Sequence, residues 1–337
     1  MFVDIGQRFF SALDTTMRHV VDSMPDSGGL HTLVCYPLGW VDAQGNPSSV
    51  ITGKRIRPLL TLLSAEAVSG NWRHALPAAA AVELLHNFSL IHDDIEDASE
   101  IRHNRPTVWK VWGTATAINA GDALFSIAYT ALEFLKNEPL PPEIVLEAWS
   151  IFNRTNLELT RGQHLDIQFE TRQRVSVDDY ISMISGKSAA LVAASAQLGA
   201  LVGSCKSDLA ACFADFGLNL GLAFQIRDDI LGIWGDPAVT GKSAASDIVS
   251  RKKSLPVLMG LQRSPELESL YAQKSFVEND VAAALGLLNQ TKARDAAETA
   301  EAAYFQKALA ALDATDLDNP AVTQLRDMAQ GLVGRDY

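Results

Sequence analysis

Val82-Glu83-Leu84-Leu85-His86-Asn87-Phe88-Ser89-Leu90-Ile91-His92-Asp93-Asp94-Ile95-Glu96-Asp97 is an apolar run that ends in acid. Its apolar residues recur at intervals of three and four, the period of a helix packed on one side. On that helix Asp93 and Asp97 are i and i+4 and project from one face, with Asp94 beside them. Like charges so placed repel: at ~4 Å and an effective dielectric of ~20, a charge pair is worth about 4 kcal/mol. A hard divalent cation turns that repulsion into coordination.

The pattern recurs further along the chain. Phe224-Gln225-Ile226-Arg227-Asp228-Asp229-Ile230-Leu231-Gly232 also closes an apolar run, 216–223. Two acidic pairs, each at the end of an apolar helix, are expected to face one another across a bundle and line a cavity with oxygen ligands. Donors that are all carboxylates point to Mg²⁺, which keeps waters and takes further oxygens from substrate phosphates. A solvated charged helix face is the alternative for either cluster alone.

The rest of the chain supports that frame. Ala-rich stretches at 78–81, 188–200, 282–284 and 298–312 favour helix, and alternating Val/Ile/Thr runs are nearly absent. The sequence therefore predicts an all-α fold without a sheet: one helical bundle spanning residues 1–337. Breaks fall at 26–49, 138–142, 235–246 and 313–320, and none has the composition of a flexible linker. The first is longer than an ordinary connection and is expected to act as a cover.

Composition removes other classes. The 337 residues are 47% apolar, which excludes a disordered or low-complexity chain. With 28 Lys and Arg against 40 Asp and Glu, the net charge is −12, which argues against a broad nucleic-acid footprint. Cys35, Cys205 and Cys212 fit neither a disulfide framework nor a zinc site, and Cys205 and Cys212 read as small core residues. The opening residues lack a basic signal-peptide start, and no window holds the ~20 uninterrupted apolar residues of a bilayer span. The expected location is the cytoplasm.

In so acidic a chain the positions of the cations matter. Lys54, Arg55 and Arg57 crowd four positions; Arg102 and Arg105 follow the first cluster; Lys187 opens an Ala/Ser-rich helix; Lys242, Arg251, Lys252 and Lys253 follow the second. Arg grips phosphate bidentately and Lys acts as a point charge. His86, His92 and His164 are possible metal ligands by type, but His86 and His92 are badly spaced to share an ion. A hydrogen-bonding or packing role suits His92, and His86 and Asn87 are placed to meet a second anion.

These pieces resemble, in order and over most of the chain, the trans-isoprenyl diphosphate synthases of the polyprenyl synthetase family. The matching segments are Gly53–Pro58, His86–Asp97, Arg102 to Thr107, Ala120–Leu124, Gly162-Gln163 with Asp166, Lys187-Ser188, Phe224-Gln225 with Asp228-Asp229, and Gly241-Lys242 through Asp247, Lys252 and Pro256. The resemblance implies an all-α single domain with helices around a deep central cavity, a homodimer that transfers an allylic prenyl group onto isopentenyl diphosphate. It implies a Mg²⁺ site formed by Asp93, Asp94 and Asp97 of the first cluster and Asp228 and Asp229 of the second, with about three ions once substrate is bound. Arg102, Lys187, Gln225, Lys242 and Lys252 match positions around the allylic diphosphate; Lys54, Arg57 and His86 match the isopentenyl diphosphate site.

Three departures stand out. His103-Asn104 replaces the family's usual Arg-Gly, Trp109 its usual His, and Gly232 a common third Asp, leaving Asp236 as a further candidate ligand. The segment Tyr36–Asn46 is expected to belong to the same specialisation.

The chemistry expected is ionisation of the allylic C–O bond, attack by the isopentenyl double bond, and proton loss to the released diphosphate. The Lys187 and Ser188 carbonyls and Gln225 are expected to flank the carbocation. Phe88 and Ser89, five and four residues before Asp93, are expected to set product length. The bulk of Phe88 favours a short product, geranylgeranyl (C20) or farnesyl (C15) diphosphate. The rival readings are a class I terpene cyclase, which has little use for Lys54, Arg57 and His86, and a non-catalytic partner subunit, which has little use for the Asp pairs.

Overall fold

The computed structural model describes residues 2–25, 28–48, 50, 53–236, 245–273 and 276–334. Helix dominates them, as the sequence predicts. The chain divides into two compact units: residues 1–151, 195–211 and 318–325 form the first, and 152–194, 212–317 and 326–337 the second. The chain changes unit inside helices. Pro142–Thr171, Ala190–Ser204, Ser207–Trp234 and Pro320–Val333 each contribute residues to both. A boundary that falls within a helix leaves no linker composition to read.

The first unit contains α1 (Phe2–Asp22), α2 (Leu30–Cys35), α3 (Ile56–Ser69), α4 (Leu76–Glu96), α5 (Val108–Trp112) and α6 (Thr114–Glu133). Pro77 starts α4 where a missing N–H costs nothing. Ala78 to Ala81 are fully buried, and α4 packs mainly on α6 and α3. A stripe with no side chain beyond Cβ lets those helices approach closely. Helix α3 ends on Gly70 at φ +72°, whose N–H bonds the Glu66 carbonyl at 2.8 Å. Between α4 and α5 lies a feature the sequence did not predict: a two-stranded hairpin, β1 (Ile101–Arg102) against β2 (Arg105–Pro106).

The described part of the 26–49 segment is folded. It holds α2 and buries Leu38 and Trp40. Arg18 stacks on Trp40 at 4.3 Å. Asp42 Oδ1 accepts the Gln44 and Asn46 amides, each at 2.9 Å.

The second unit includes α8 (Val177–Ile184), opened by a Ser176–Asp179 capping box. Around it Phe169, Tyr180, Ile184, Ile226, Ile230, Leu255 and Leu258 form the core. A π-helical turn, Ser185–Ala189, joins α8 to α9 (Ala190–Ser204). Next comes α10 (Ser207–Trp234), whose best window has a mean hydropathy of 1.5. By length and composition it could cross a membrane, as core helices also can; half of that window is buried. The turn between α9 and α10 corrects one sequence reading: Cys205 sits at φ +53° and is exposed, outside the core. With neither Gly nor Pro at 204–206, the sequence gives no sign of that break.

Candidate active site

In the first unit the acidic cluster closes α4. Asp93 is half-buried, Asp97 is exposed at the C-cap, and Asp94 is buried. Asp94 Oδ1 accepts Arg102 Nε at 2.8 Å. Burial pushes the Asp94 carboxyl above its usual range, and Arg102 opposes that rise. Asp94 therefore serves as the counter-charge of Arg102, while Asp93 and Asp97 keep contact with solvent. Arg102 and His103 line a cleft with Tyr36, Asn87, Leu90 and Asp94.

The three departures acquire physical roles here. His103 and Asn104 sit at φ +50° and +59°, so they form the two-residue loop of a type I′ hairpin. Asn and His are among the non-glycine residues that best tolerate that region. Burial and Arg102 hold the His103 imidazole below its usual pKa. Trp109 Nε1 donates to the Ser99 carbonyl at 2.8 Å, and Thr107 Oγ1 donates to the same oxygen at 2.8 Å, so both tie α5 back to the end of α4.

Lys54 is exposed just before α3, and Arg57 lies in its first turn. Arg57 Nη1 donates to His86 Nε2 at 3.1 Å. A guanidinium only donates, so His86 must be neutral with its proton on Nδ1. Burial, then Arg57, Arg102 and His103, hold the His86 pKa well below its usual value. Behind them Glu83 is 4% exposed; burial raises its pKa and the charges of Arg55 and Arg57 lower it. His92 packs on Phe88 at 4.8 Å, in line with a packing role. Phe88 stacks edge-on against Phe125 at 5.1 Å, and Tyr129 and Trp149 continue the row. Ser89 Oγ is turned to the His86 carbonyl at 2.8 Å.

In the second unit Asp229 is a buried hub, 1% exposed. Its Oδ2 accepts Tyr180 O–H at 2.6 Å and the Leu255 amide at 3.4 Å. Its Oδ1 accepts Gln225 Nε2 at 3.1 Å and Lys252 Nζ at 3.2 Å. Ser188 Oγ extends the chain, donating to Gln225 Oε1 at 2.6 Å. The Asp229 charge raises the Lys252 pKa; burial, and then that same charge, push Tyr180 well up. Asp228, the neighbouring carboxylate, is half-buried.

Lys187 lies in the π turn and pairs with Asp166 on α7 (Pro142–Thr171). The close approach depends on two glycines. A Cβ on Gly162 would overlap the Lys187 amide, and a Cβ on Gly186 would stand 2.4 Å from the Glu158 carbonyl oxygen and 3.0 Å from the Gly162 Cα. Gly232 explains the missing third Asp: a Cβ there would meet Asp247 Oδ1 at 2.6 Å. The carboxylate of Asp247, 8% exposed, lies against α10 where a side chain from position 232 would otherwise stand.

The remaining cations separate by task. Lys253 Nζ donates to the Phe169 carbonyl at 2.5 Å and also to that of Arg172, capping α7. Arg251 Nη1 binds the Gln273 carbonyl at 2.5 Å. Lys242 lies outside the described residues. His164 is exposed. The sequence reading gave no role to Tyr180, Asp166 or Asp247. Their only signal was position within motifs already quoted, or none for Tyr180.

Among the described residues no three His, Cys, Asp or Glu side chains converge as a metal cage.

The polyprenyl synthetase family pattern matches residues 43–288. The chain is 44% identical over 242 residues to a (2E,6E)-farnesyl diphosphate synthase of Mycobacterium tuberculosis, covering 72% of this chain and 66% of that protein. It is 38% identical over 301 residues to a geranylgeranyl diphosphate synthase of the same organism, covering 88% and 84%. A polyprenyl synthetase structure from Streptomyces coelicolor superposes with a TM-score of 0.89 at 36% identity, covering 99% of this chain and 100% of that one. The chain belongs to the polyprenyl synthetase family.

Proposed function

We propose that this protein is a short-chain trans-prenyltransferase that condenses an allylic diphosphate with isopentenyl diphosphate, head to tail. One observation carries the reading. Each described cation assigned to the allylic diphosphate is held by its own carboxylate: Arg102 by Asp94, Lys187 by Asp166, Lys252 by Asp229. Asp93, Asp97 and Asp228 keep contact with solvent, as metal ligands require, whereas Asp94 and Asp229 are buried.

Asp93, Asp97 and Asp228 would hold the metal, about three ions with substrate bound; Asp94 and Asp229 fix the cations. Bound Mg²⁺ would neutralise charge on the departing diphosphate. Arg102, Lys187 and Lys252 orient that diphosphate and stabilise the charge it gains, and their paired carboxylates keep them preorganised. Lys187 and Ser188 fall within the π turn, where the i→i−4 ladder is interrupted. That geometry suits backbone carbonyls facing an electron-poor allylic carbon, with Gln225 held beside them by Ser188 and Asp229. Lys54, Arg57 and neutral His86 bind isopentenyl diphosphate, with His86 Nδ1–H available as a donor. The proton lost after C–C bond formation goes to the released diphosphate.

Phe88 and Ser89 set product length, and the Phe88–Phe125 contact supports a C15 or C20 product. The active form is a homodimer in the cytoplasm. Incubating the purified chain with Mg²⁺, labelled isopentenyl diphosphate and dimethylallyl, geranyl or farnesyl diphosphate tests the reaction. Light scattering after gel filtration tests the dimer, and fractionation of the producing cells tests the location.

A further inference from the structure

The hairpin that follows the first acidic cluster sets two arginines opposite one another: Arg102 is the register partner of Arg105. Like charges in that relation repel, and a two-residue hairpin has little stability of its own. Strand pairing therefore does not fix the Arg102 guanidinium. The two side chains are drawn to different partners. Arg102 turns to Asp94 at 2.8 Å. Arg105 turns to the 36–41 segment, donating Nη1 to the Tyr36 carbonyl at 3.1 Å and Nη2 to the Val41 carbonyl at 2.8 Å. Its guanidinium also lies over the Tyr36 ring, 4.0 Å from the centroid.

Tyr36 returns the contact. Its O–H donates to the Pro106 carbonyl at 2.8 Å, and its ring meets Trp112 edge-on at 4.9 Å. The phenol is 4% exposed. Three hydrogen bonds and one stacked cation thus join residues 36–41 to the second strand of the hairpin. The far side of the segment is anchored too, by Arg18 on Trp40, by the Asp42 loop, and by the Val41–Pro47 bridge.

We propose that Tyr36 and Arg105 form a clasp that positions Arg102 for the allylic diphosphate. Both are positioning residues, acting on the hairpin that carries Arg102. The segment 36–47 exists to carry this clasp. The inference rests on the reading of Arg102 as a diphosphate ligand. Lys at 105 cannot span two carbonyls as a planar fork does, and Phe at 36 keeps the stacked ring but loses the bond to Pro106.

The test is steady-state kinetics on the full-length enzyme, with KM measured separately for the allylic and isopentenyl substrates, alongside thermal melting. The variants are Tyr36→Ala, Tyr36→Phe, Arg105→Ala, Arg105→Lys and Arg102→Ala. The clasp requires the allylic KM to rise about ten-fold or more in Tyr36→Ala and Arg105→Ala, with the isopentenyl KM within about two-fold. Tyr36→Phe and Arg105→Lys should fall between these and wild type, and they decide the matter if the alanine variants do not fold. Lower melting temperatures with an unchanged allylic KM would overturn the clasp. An active wild type with an unaffected Arg102→Ala would instead overturn the role of Arg102. A wild type that condenses no substrate would overturn the proposed function itself.

Discussion

The Tyr180 hydroxyl donates to Asp229 at 2.6 Å, with both side chains sealed from solvent. Two carboxylates adjacent in sequence consequently do different work. Asp229 is committed to Tyr180, Leu255, Gln225 and Lys252. Asp228, the next residue toward the N-terminus, keeps contact with solvent.

Asp228→Asn is expected to leave the melting temperature near wild type while lowering kcat/KM roughly 10²-fold or more, the scale of losing one element of charge stabilisation. Asp229→Asn removes the charge that Lys252, 39% exposed, pairs with and disturbs a buried hydrogen-bond hub, and is expected to cost about 1–3 kcal/mol of stability. Denaturant unfolding and kinetics on both variants measure the contrast. Equal losses of stability would remove the division of labour.

Tyr180→Phe strips one donor from the buried Asp229 without changing packing. An unmet acceptor at such a site costs about 1–3 kcal/mol. Chemical denaturation should show that loss, with the KM values little altered.

Phe88 meets Phe125, and Tyr129 and Trp149 continue the row at 5.3 and 5.5 Å. Phe88→Ala is expected to lengthen the product while leaving Phe125 as the next obstacle. Mass analysis of products from labelled isopentenyl diphosphate decides it; an unchanged chain length takes Phe88 out of the account.

His86 is held neutral, with its pKa well below the usual 6.5. Below that value the unfolded chain binds a proton that the folded chain refuses, so folding stability falls as pH drops. The slope for one such proton is at most about 1.4 kcal/mol per pH unit. His86→Gln, which cannot take up the proton, should show a shallower decline in melting temperature between pH 6.5 and 5. The Arg57, Arg102 and His103 charges around it act in both proteins.

Gly232 borders the Asp247 carboxylate at 2.6 Å from where a Cβ would stand. Gly232→Ala is expected to destabilise by about 1–3 kcal/mol through overpacking. Thermal unfolding should register it, and a neutral result would mean that Asp247 can move aside.

The helical fold was legible because α4 and α10 announce themselves by apolar period and acidic ends. The hairpin at 101–106 was not: Arg102 and Arg105 look like phosphate-binding cations, and only the positive φ values of His103 and Asn104 show a turn. The chain passes between its two units inside helices such as α7, so no linker composition marks the passage. At the site, spacing located Asp93, Asp97 and Asp228 but could not tell them from Asp94 and Asp229. That distinction depends on Arg102, Tyr180 and Lys252, none of which lies on the helix that carries its carboxylate. Gly232 read as a lost ligand for the same reason, since its neighbour Asp247 is brought to it only by the fold.

The most direct test of the account is product formation from purified protein, radiolabelled isopentenyl diphosphate and an allylic diphosphate, with Mg²⁺ or with excess chelator. The account predicts a linear C15 or C20 diphosphate that requires both substrates and disappears on chelation. A cyclised hydrocarbon from the allylic substrate alone, or condensation that persists without metal, would contradict it.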